Sequence, residues 1–286
     1  MNFFKKLFGT PKLKDEGNMN PRIKNIAGKS YLFINVNDAE AYNESGIKKS
    51  HRHDYKGAIA DYKKAIEIDP IFSEAYYNRG IAKSSINDYN GAIADYTNAI
   101  EYNPENAEAY NNRGILKKDI SNFSGAISDF TRAIEINPRF ANAYYHRGTA
   151  KSDMGEHEDS IADYSIAIEI NPNDADYYNS RGNAKNELID YLGALDDYSN
   201  AILIDPRMAQ AYNNRGCVKR SLKEFRESIS DFTKVIDINP NHAGAYCNRG
   251  LAYLQIGEEI NGCSDLKKAR NLGFAPANDL IQRFCQ

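Results

Sequence analysis

Apolar residues along one segment of the chain recur at the spacing of an amphipathic helix. They are Tyr89, Ala92, Ile93, Tyr96, Ala99 and Ile100. Steps of three, four and seven residues place these side chains on one side of an α-helix. Pro104 follows a few residues later, and because proline disfavours helical geometry in the residue before it, the helix should end near Asn103.

A second helix is predicted just before this one, roughly from Ser73 to Ser85. The apolar residues of its buried side are Ala75, Tyr76, Ala82 and Ile86. A short turn around Asn87-Asp88 joins the two helices into a hairpin. Such a small unit has too little apolar surface to fold alone, and neighbouring copies must therefore stack.

Prolines show that the hairpin is repeated with a period of 34 residues. They are Pro70, Pro104, Pro138, Pro172, Pro206 and Pro240. Each follows Asn or Asp, as in IEIDP and IEINP. Seven copies run from residue 39 to about 276, the first and last less regular than the others, and their first positions are Ala39, Ser73, Ala107, Ala141, Ala175, Ala209 and Ala243. A fixed period of this length predicts a stacked helical-repeat protein.

A glycine stands at position 8 of every copy, inside the first helix. These are Gly46, Gly80, Gly114, Gly148, Gly182, Gly216 and Gly250. Because glycine costs about 1 kcal/mol relative to alanine in a helix, its recurrence predicts a crossing helix packed against that point. The unit AYxNRGxxK…DYxGAIxDYxxAIEINP resembles the tetratricopeptide repeat, and the end of the chain resembles those of small bacterial repeat proteins.

The resemblance implies an all-α fold, a right-handed α-solenoid or superhelix of antiparallel helix hairpins. Residues 39–276 should form seven repeats, residues 1–38 a basic N-terminal tail and cap segment, and residues 277–286 a C-terminal capping helix. Family membership also implies that the first helices line a concave groove that receives a peptide or a partner helix.

Charged residues recur at two positions that this family usually fills with apolar ones. Position 7 holds Arg79, Arg113, Arg147, Arg181, Arg215 and Arg249, and position 11 holds a lysine in six copies. Position 23, in the second helix, holds Asp61, Asp95, Asp129, Asp163, Asp197, Asp231 and Asp265. Half-buried charges are retained when they are paired, so we expect a structural ladder of arginine–aspartate pairs between helices. The alternative is an anion-binding stripe, which needs free arginine heads.

By the same resemblance, positions 2, 5, 6, 9, 12 and 13 of the first helices line the groove. The predicted partner-binding residues there are Asn78, Asn111, Asn112, Tyr77, Tyr145, His146, Asn179, Asn183, Asn213, Asn214 and Asn248. Asparagine amides suit hydrogen bonds to the backbone of an extended peptide. The asparagines at position 6 resemble the ladder of O-linked N-acetylglucosamine transferases, interrupted here by His146 and Ser180. The alternative is an asparagine face that only meets solvent.

Acidic residues outnumber basic ones in the predicted groove over the first six copies. The acids are Glu40, Glu44, Glu74, Glu108, Asp119, Asp153, Asp176 and Glu187, and the bases are Lys118 and Arg220. Electrostatic complementarity therefore favours a neutral or basic peptide. The lysines and arginine with which some repeat cochaperones hold a terminal carboxylate are missing, so an acidic chaperone tail is not the expected ligand.

The charge distribution argues against a nucleic-acid surface, which needs clustered lysine and arginine. Residues 1–30 hold seven basic against two acidic residues, so the rest of a chain of net charge −3 is acidic. The start, MNFFKKLFG, is read as a disordered cationic segment or a short amphipathic helix, and membrane contact is expected only through residues 1–14.

The cysteines are Cys217, Cys247, Cys263 and Cys285, and they form no CxxC pair. Together with the lack of a secretory-type leader, this predicts reduced thiols and a cytoplasmic location. Cys217 and Cys247 both map to the groove, so a redox or metal pair is the alternative reading of those two.

No phosphate-binding loop, nucleophile elbow or HExxH motif occurs, and we expect no catalytic residue, no metal and no cofactor. The sequence thus predicts a non-enzymatic scaffold that binds a protein or peptide partner. The alternative is a regulatory or targeting subunit that its basic N-terminal tail recruits to a membrane or an enzyme.

Overall fold

Two short strands precede the repeats in the computed structural model, which describes residues 22–26, 29–33 and 36–285. Strands β1 (Arg22–Ile26) and β2 (Lys29–Phe33) pair antiparallel, with Arg22 opposite Phe33. Residues 1–14, for which membrane contact is predicted, lie outside the described residues. Capping of the repeats by residues 1–38 stays a prediction.

Helices make up nearly all of the other described residues, which confirms the predicted all-α repeat class. In the unit Met1–Glu105 they are α1 (Val36–His51), α2 (Tyr55–Ile68), α3 (Ser73–Ser85) and α4 (Tyr89–Tyr102). In the unit Asn106–Gln286 they are α5 (Ala107–Asp119), α6 (Phe123–Ile136), α7 (Ala141–Asp153), α8 (His157–Ile170), α9 (Ala175–Glu187), α10 (Tyr191–Ile204), α11 (Ala209–Ser221), α12 (Phe225–Ile238), α13 (Ala243–Gln255), α14 (Glu259–Asn271) and α15 (Ala277–Phe284). From α3 to α13 every first helix begins at the predicted position 1. None of the described helices has the length and apolar composition needed to cross a membrane.

Local hydrogen bonds set the limits of the second helices, as α4 illustrates. The turn before it passes through Asn87, whose φ of 63° lies in the left-handed region that asparagine tolerates. Asp88 caps the helix, because its Oδ1 accepts a hydrogen bond from the Gly91 amide at 3.0 Å. The helix ends before Asn103, where Pro104 prevents continuation. The predicted turn and the predicted helix end are both confirmed.

The position-8 glycines lie against an aromatic ring of the second helix, except Gly250, which lies against the backbone at Gly262 and the side chain of Leu266. A Cβ added to Gly114 would lie 2.7 Å from Phe130, and one added to Gly182 would lie 2.8 Å from Tyr198. Carbon atoms do not pack that closely, so glycine is what lets the two helices meet. Phe130 also packs against Ala150 of the next first helix, α7, and the same ring therefore joins neighbouring hairpins.

The last helix, α15, packs against the hairpin formed by α13 and α14. Its Ala277 is buried in a cluster with Leu266 of α14. A disulfide joins Cys263, also in α14, to Cys285 just beyond the end of α15. The prediction of four reduced cysteines is therefore wrong for this pair. The two sulfurs meet because α15 packs on α14, a tertiary contact that the cysteine spacing does not indicate.

Candidate functional site

Each hairpin contains an aspartate at position 23 of its second helix that basic side chains of the first helix contact. In the hairpin α3–α4, Arg79 donates through Nε and Nη2 to the two oxygens of Asp95, at 2.8 and 2.7 Å. Lys83 Nζ approaches the same carboxylate to 2.8 Å. Asp95 is only 2% exposed, so one buried carboxylate is neutralised by two cations from one helix face.

The same contact recurs in the later hairpins, with a shortest nitrogen–oxygen distance of 2.7 Å in each. The pairs are Arg113–Asp129, Arg147–Asp163, Arg181–Asp197, Arg215–Asp231 and Arg249–Asp265. The structure thus brings together every arginine of the predicted ladder and the aspartate of its own repeat. Sequence reasoning missed the lysines, which join as third members; they are Lys117, Lys151, Lys185 and Lys219.

In the unit Asn106–Gln286 the arginines also connect successive repeats. Arg147 Nη1 donates to Thr131 Oγ1 at 3.1 Å, and Arg181 Nη1 donates to Ser165 Oγ at 3.0 Å. These hydroxyls belong to the preceding second helix, and the remaining pairs are Arg215–Ser199 and Arg249–Thr233. All three guanidinium nitrogens of these arginines are occupied, which leaves no free heads for the anion-binding alternative in these repeats.

The first and last hairpins depart from this pattern. In the first, Ser45 replaces arginine, and Ser45 Oγ and Lys49 Nζ each lie 2.6 Å from Asp61. In the last, Tyr253 replaces lysine, and the Arg249 guanidinium lies 5.9 Å from the centre of its ring. The aspartate is therefore kept while its partners vary.

The opposite side of the first helices is the groove face, which we define as positions 2, 5, 6, 9, 12 and 13. In the unit Met1–Glu105, Asn43 donates to Glu74 Oε1 at 3.0 Å and accepts from Asn78 at 3.1 Å. Asn43 is only 4% exposed, whereas Asn78 is half-buried. Tyr77 lies with its ring centre 5.9 Å from that of Tyr96 in α4, so the second helix supports the ring of this predicted partner-binding residue.

In the unit Asn106–Gln286, Asn214 bridges two first helices. Its Nδ2 donates to Asn179 Oδ1 at 3.2 Å and to Asn183 Oδ1 at 2.9 Å, both in α9. Asn183 Oδ1 also accepts from the Tyr198 hydroxyl at 2.9 Å. Asn179 is buried, while Asn183 and Asn214 remain half-exposed. The amides at the surface are therefore oriented by amides beneath them.

Of the other predicted asparagines, some are buried among the helices and others are partly exposed on the groove face. Asn111 is 6% exposed and donates to Asn112 at 3.3 Å. The side-chain oxygens of Asn111 and Asn213 are both buried without a hydrogen-bond partner. Asn248 is half-buried and donates to Cys217 Sγ at 3.6 Å. The asparagine side chains at position 5 thus point into the contacts between helices more than toward a ligand.

Tyr145 and His146 belong to an aromatic cluster. The ring centre of Tyr145 lies 5.2 Å from His146, 5.8 Å from Tyr164 and 5.0 Å from Tyr177. His146 stacks on Phe130 at 5.8 Å. Burial, assisted by the positive charge of Lys118, lowers the pKa of His146 to about 4. His146 is therefore neutral at physiological pH and offers an uncharged ring to the groove face.

Four acidic side chains of the groove face in this unit are exposed and have no ion pair among the described residues. They are Glu108, Asp153, Asp176 and Glu187. Partial burial raises the pKa of Asp176, and the nearby carboxylates Asp174 and Asp205 raise it further. Lys118 is paired with Asp119 at 3.3 Å. The unpaired charge of this groove face is therefore mainly negative.

Cys217 and Cys247 are free. Burial raises the pKa of both thiols, although the charge of Arg220 opposes the shift. Thiols of raised pKa are poor nucleophiles and poor metal ligands. Within the described residues, no three His, Cys, Asp or Glu side chains gather as a metal site would need.

Paired helices with repeated ring-on-glycine and arginine–aspartate contacts define an all-α helical-repeat solenoid. Family models described as "TPR repeat" match residues 52–85, 84–120 and 150–188, and models described as "Tetratricopeptide repeat" match residues 107–140 and 209–242. Together they cover more than half of the chain, which therefore belongs to the tetratricopeptide repeat family. Repeats of this family act as protein-interaction scaffolds and are typically non-enzymatic. No curated protein matches the sequence.

Several solved structures share the fold. A tetratricopeptide repeat protein from Parabacteroides merdae ATCC 43184 is 19% identical with a TM-score of 0.64, over 87% of this chain and 99% of that one. MamA is 26% identical with a TM-score of 0.55, over 59% of this chain and 92% of its own. YrrB, described as a TPR protein with an unusual peptide-binding site, is 23% identical with a TM-score of 0.55, over 62% of this chain and 92% of its own.

Proposed function

We propose that the chain is a scaffold whose groove face binds an extended, neutral or basic peptide segment of a partner protein. The observation that carries the proposal is the set of half-exposed amides on successive first helices, as at Asn183 and Asn214. Buried amides hold these groups in place, so a peptide would not have to order them on binding.

Amides suit such a ligand because every residue of an extended peptide offers one donor and one acceptor. Asn214 uses its Nδ2 within the scaffold, and its Oδ1 makes no bond within the described residues. That oxygen is placed to accept from a peptide N–H. The fold shared with YrrB supports this use of the groove face, since YrrB is described as having a peptide-binding site.

Charge narrows the class of peptide. The acids without an ion pair in the unit Asn106–Gln286 would repel an acidic ligand and attract a basic one. The ladder arginines cannot offset them, because they lie on the packed side of the helices and are already bonded to aspartate.

Selection from a random twelve-residue peptide library on the full chain tests the proposal. We expect enriched peptides that are neutral or basic and that bind far more weakly when Asn78, Asn112 and Asn214 are all changed to alanine. A matched control changes Asn90, Asn173 and Asn241, which are exposed and lie outside the first helices. Equal binding by both triple variants would contradict the groove reading, as would selection of mainly acidic peptides.

The basic N-terminal tail supports a second candidate, a subunit that is targeted to a membrane or to an enzyme. Residues 1–30 hold seven basic against two acidic residues. Co-sedimentation with vesicles of anionic lipid, with and without residues 1–30, tests it. Equal pelleting of both chains would remove this candidate.

A cytoplasmic location is also a proposal, and the bond between Cys263 and Cys285 weighs against it. Disulfides persist mainly in oxidising compartments. Labelling of free thiols while the cells are rapidly denatured decides the matter: four labelled cysteines support the cytoplasm, and two support an oxidising compartment.

A further inference from the structure

A cavity of about 320 Å³ opens on the groove face between α9 and α11. It is at the small end of the ~300–1,000 Å³ that ligand sites usually occupy. The lining residues are Asn183, Asn186, Glu187, Tyr198, Gln210, Asn214 and Cys217. All of them lie within the unit Asn106–Gln286, and side chains of two successive first helices form its walls.

Hydrogen-bond accounting shows which groups of this wall are left for a ligand. Asn183 Oδ1 already accepts from Asn214 and from Tyr198, so both of its acceptor sites are in use. Asn214 spends its Nδ2 on α9 and keeps its Oδ1. Gln210 is exposed, and its amide makes no side-chain bond within the described residues. The cavity therefore presents the unused amide oxygens of Asn214 and Gln210, together with unused N–H groups of Asn183 and Gln210.

The only charged residue in the wall is Glu187, whose carboxylate is exposed and has no ion pair among the described residues. Arg220 is close enough to influence the pKa of Cys217, but it does not line the cavity. One carboxylate beside unused amide oxygens gives the site a negative charge and hydrogen-bond acceptors, while the amide N–H groups add no charge.

We propose that this cavity receives the guanidinium of an arginine in the bound peptide. Guanidinium is planar and carries five N–H donors, which suit a carboxylate and an oriented amide oxygen in the same wall. A lysine ammonium presents three donors at one point and fits such a spread of acceptors less well. The inference rests on the proposed peptide-binding function and names the residue that the groove selects.

Citrulline tests the inference because it keeps the shape of arginine and removes its charge. Each arginine of the selected peptides is replaced in turn by citrulline, and affinity is measured by calorimetry for the wild-type chain and for Glu187→Gln. We expect one arginine whose replacement weakens binding about ten-fold to the wild type and less than about two-fold to Glu187→Gln. Glu187 is exposed, so folding should be retained, and far-UV circular dichroism checks this.

Asp153→Asn serves as the matched control, since Asp153 occupies the same repeat position in α7 and is exposed, but does not line the cavity. In this variant, citrulline should weaken binding about as much as it does in the wild type. The inference is overturned if citrulline weakens binding equally in the wild type and in Glu187→Gln, if lysine replaces arginine without loss, or if groove-bound peptides lack arginine. Those results leave groove binding intact, whereas selection of no peptide at all overturns the proposed function as well.

Discussion

The two sides of each first helix differ in how they use polar residues. The packed side carries Arg147 and Lys151 bonded to one buried aspartate, and nearly the same set recurs in successive repeats. The groove face carries uncharged amides and exposed acids that change from repeat to repeat. We propose that the packed side holds the hairpins together. The residues of the groove face are then free to differ between repeats and to determine which ligand binds.

Removing one ladder carboxylate is the strongest way to break this comparison. Asp163→Ala leaves Arg147 and Lys151 without their partner in the α7–α8 contact, where both are less than a fifth exposed. We expect a loss of about 3 kcal/mol in the free energy of unfolding, measured by urea denaturation. Hydrogen exchange should rise first in α7 and α8.

The matched control is Glu169→Ala, an exposed acid on the same helix α8. It should change stability by less than about 0.5 kcal/mol. If Asp163→Ala unfolds at the same urea concentration as this control, the ladder is not structural.

Gly182→Ala tests whether the two sides are independent. The added methyl would lie 2.8 Å from Tyr198, whose hydroxyl donates to Asn183 on the groove face. Overpacking should cost about 2 kcal/mol, again by urea denaturation, and the moved ring should also weaken peptide binding. Gly244→Ala is the control, because its nearest neighbour would be at 3.5 Å. Equal effects of the two changes would contradict the tight contact.

His146 is the groove residue whose charge state should affect stability. Its folded pKa of about 4 lies below the usual 6.5. Between these pH values the unfolded chain takes up a proton that the folded chain does not, so stability should fall as pH is lowered from 6.5 to 4, by about 1–2 kcal/mol. Thermal melts across this range should show a smaller fall for His146→Gln. An identical pH dependence of the two proteins would show that the imidazole titrates normally.

Asn214→Ala should have the smallest effect on stability and the largest on binding. Its removal leaves Asn183 with the Tyr198 hydroxyl as partner but takes the donor from the buried Asn179 Oδ1, so we expect a loss of about 1 kcal/mol in urea denaturation. The selected peptides should nevertheless bind several-fold more weakly by calorimetry. A large loss of stability with unchanged affinity for the peptides would show that Asn214 supports the fold and does not bind the ligand.

Much of the packed side could be predicted because it repeats. The prolines gave the period, and a spacing of 16 residues between Arg79 and Asp95 is what an antiparallel hairpin brings together. The lysine recurs as regularly, yet its role was missed. The spacing shows that the arginine and the lysine share a helix face. It does not show that the two oxygens of one aspartate carboxylate contact both of them.

The groove face was harder to predict because burial there depends on the next helix. Asn179 and Asn214 carry the same side chain, but only Asn179 is covered. The pairing of Cys263 with Cys285 was out of reach for a related reason. It depends on how α15 packs, and that helix has no counterpart in the earlier repeats whose pattern would reveal it.

The disulfide bears on the direction in which such an array comes apart. Repeats contact only their neighbours, so stacked hairpins usually open from an end, one unit after another. With Cys263 bonded to Cys285, α15 cannot leave α14 while the bond is intact. We therefore expect less fraying of α15, and we expect unfolding to begin more readily at the first hairpin, where Ser45 stands in place of arginine.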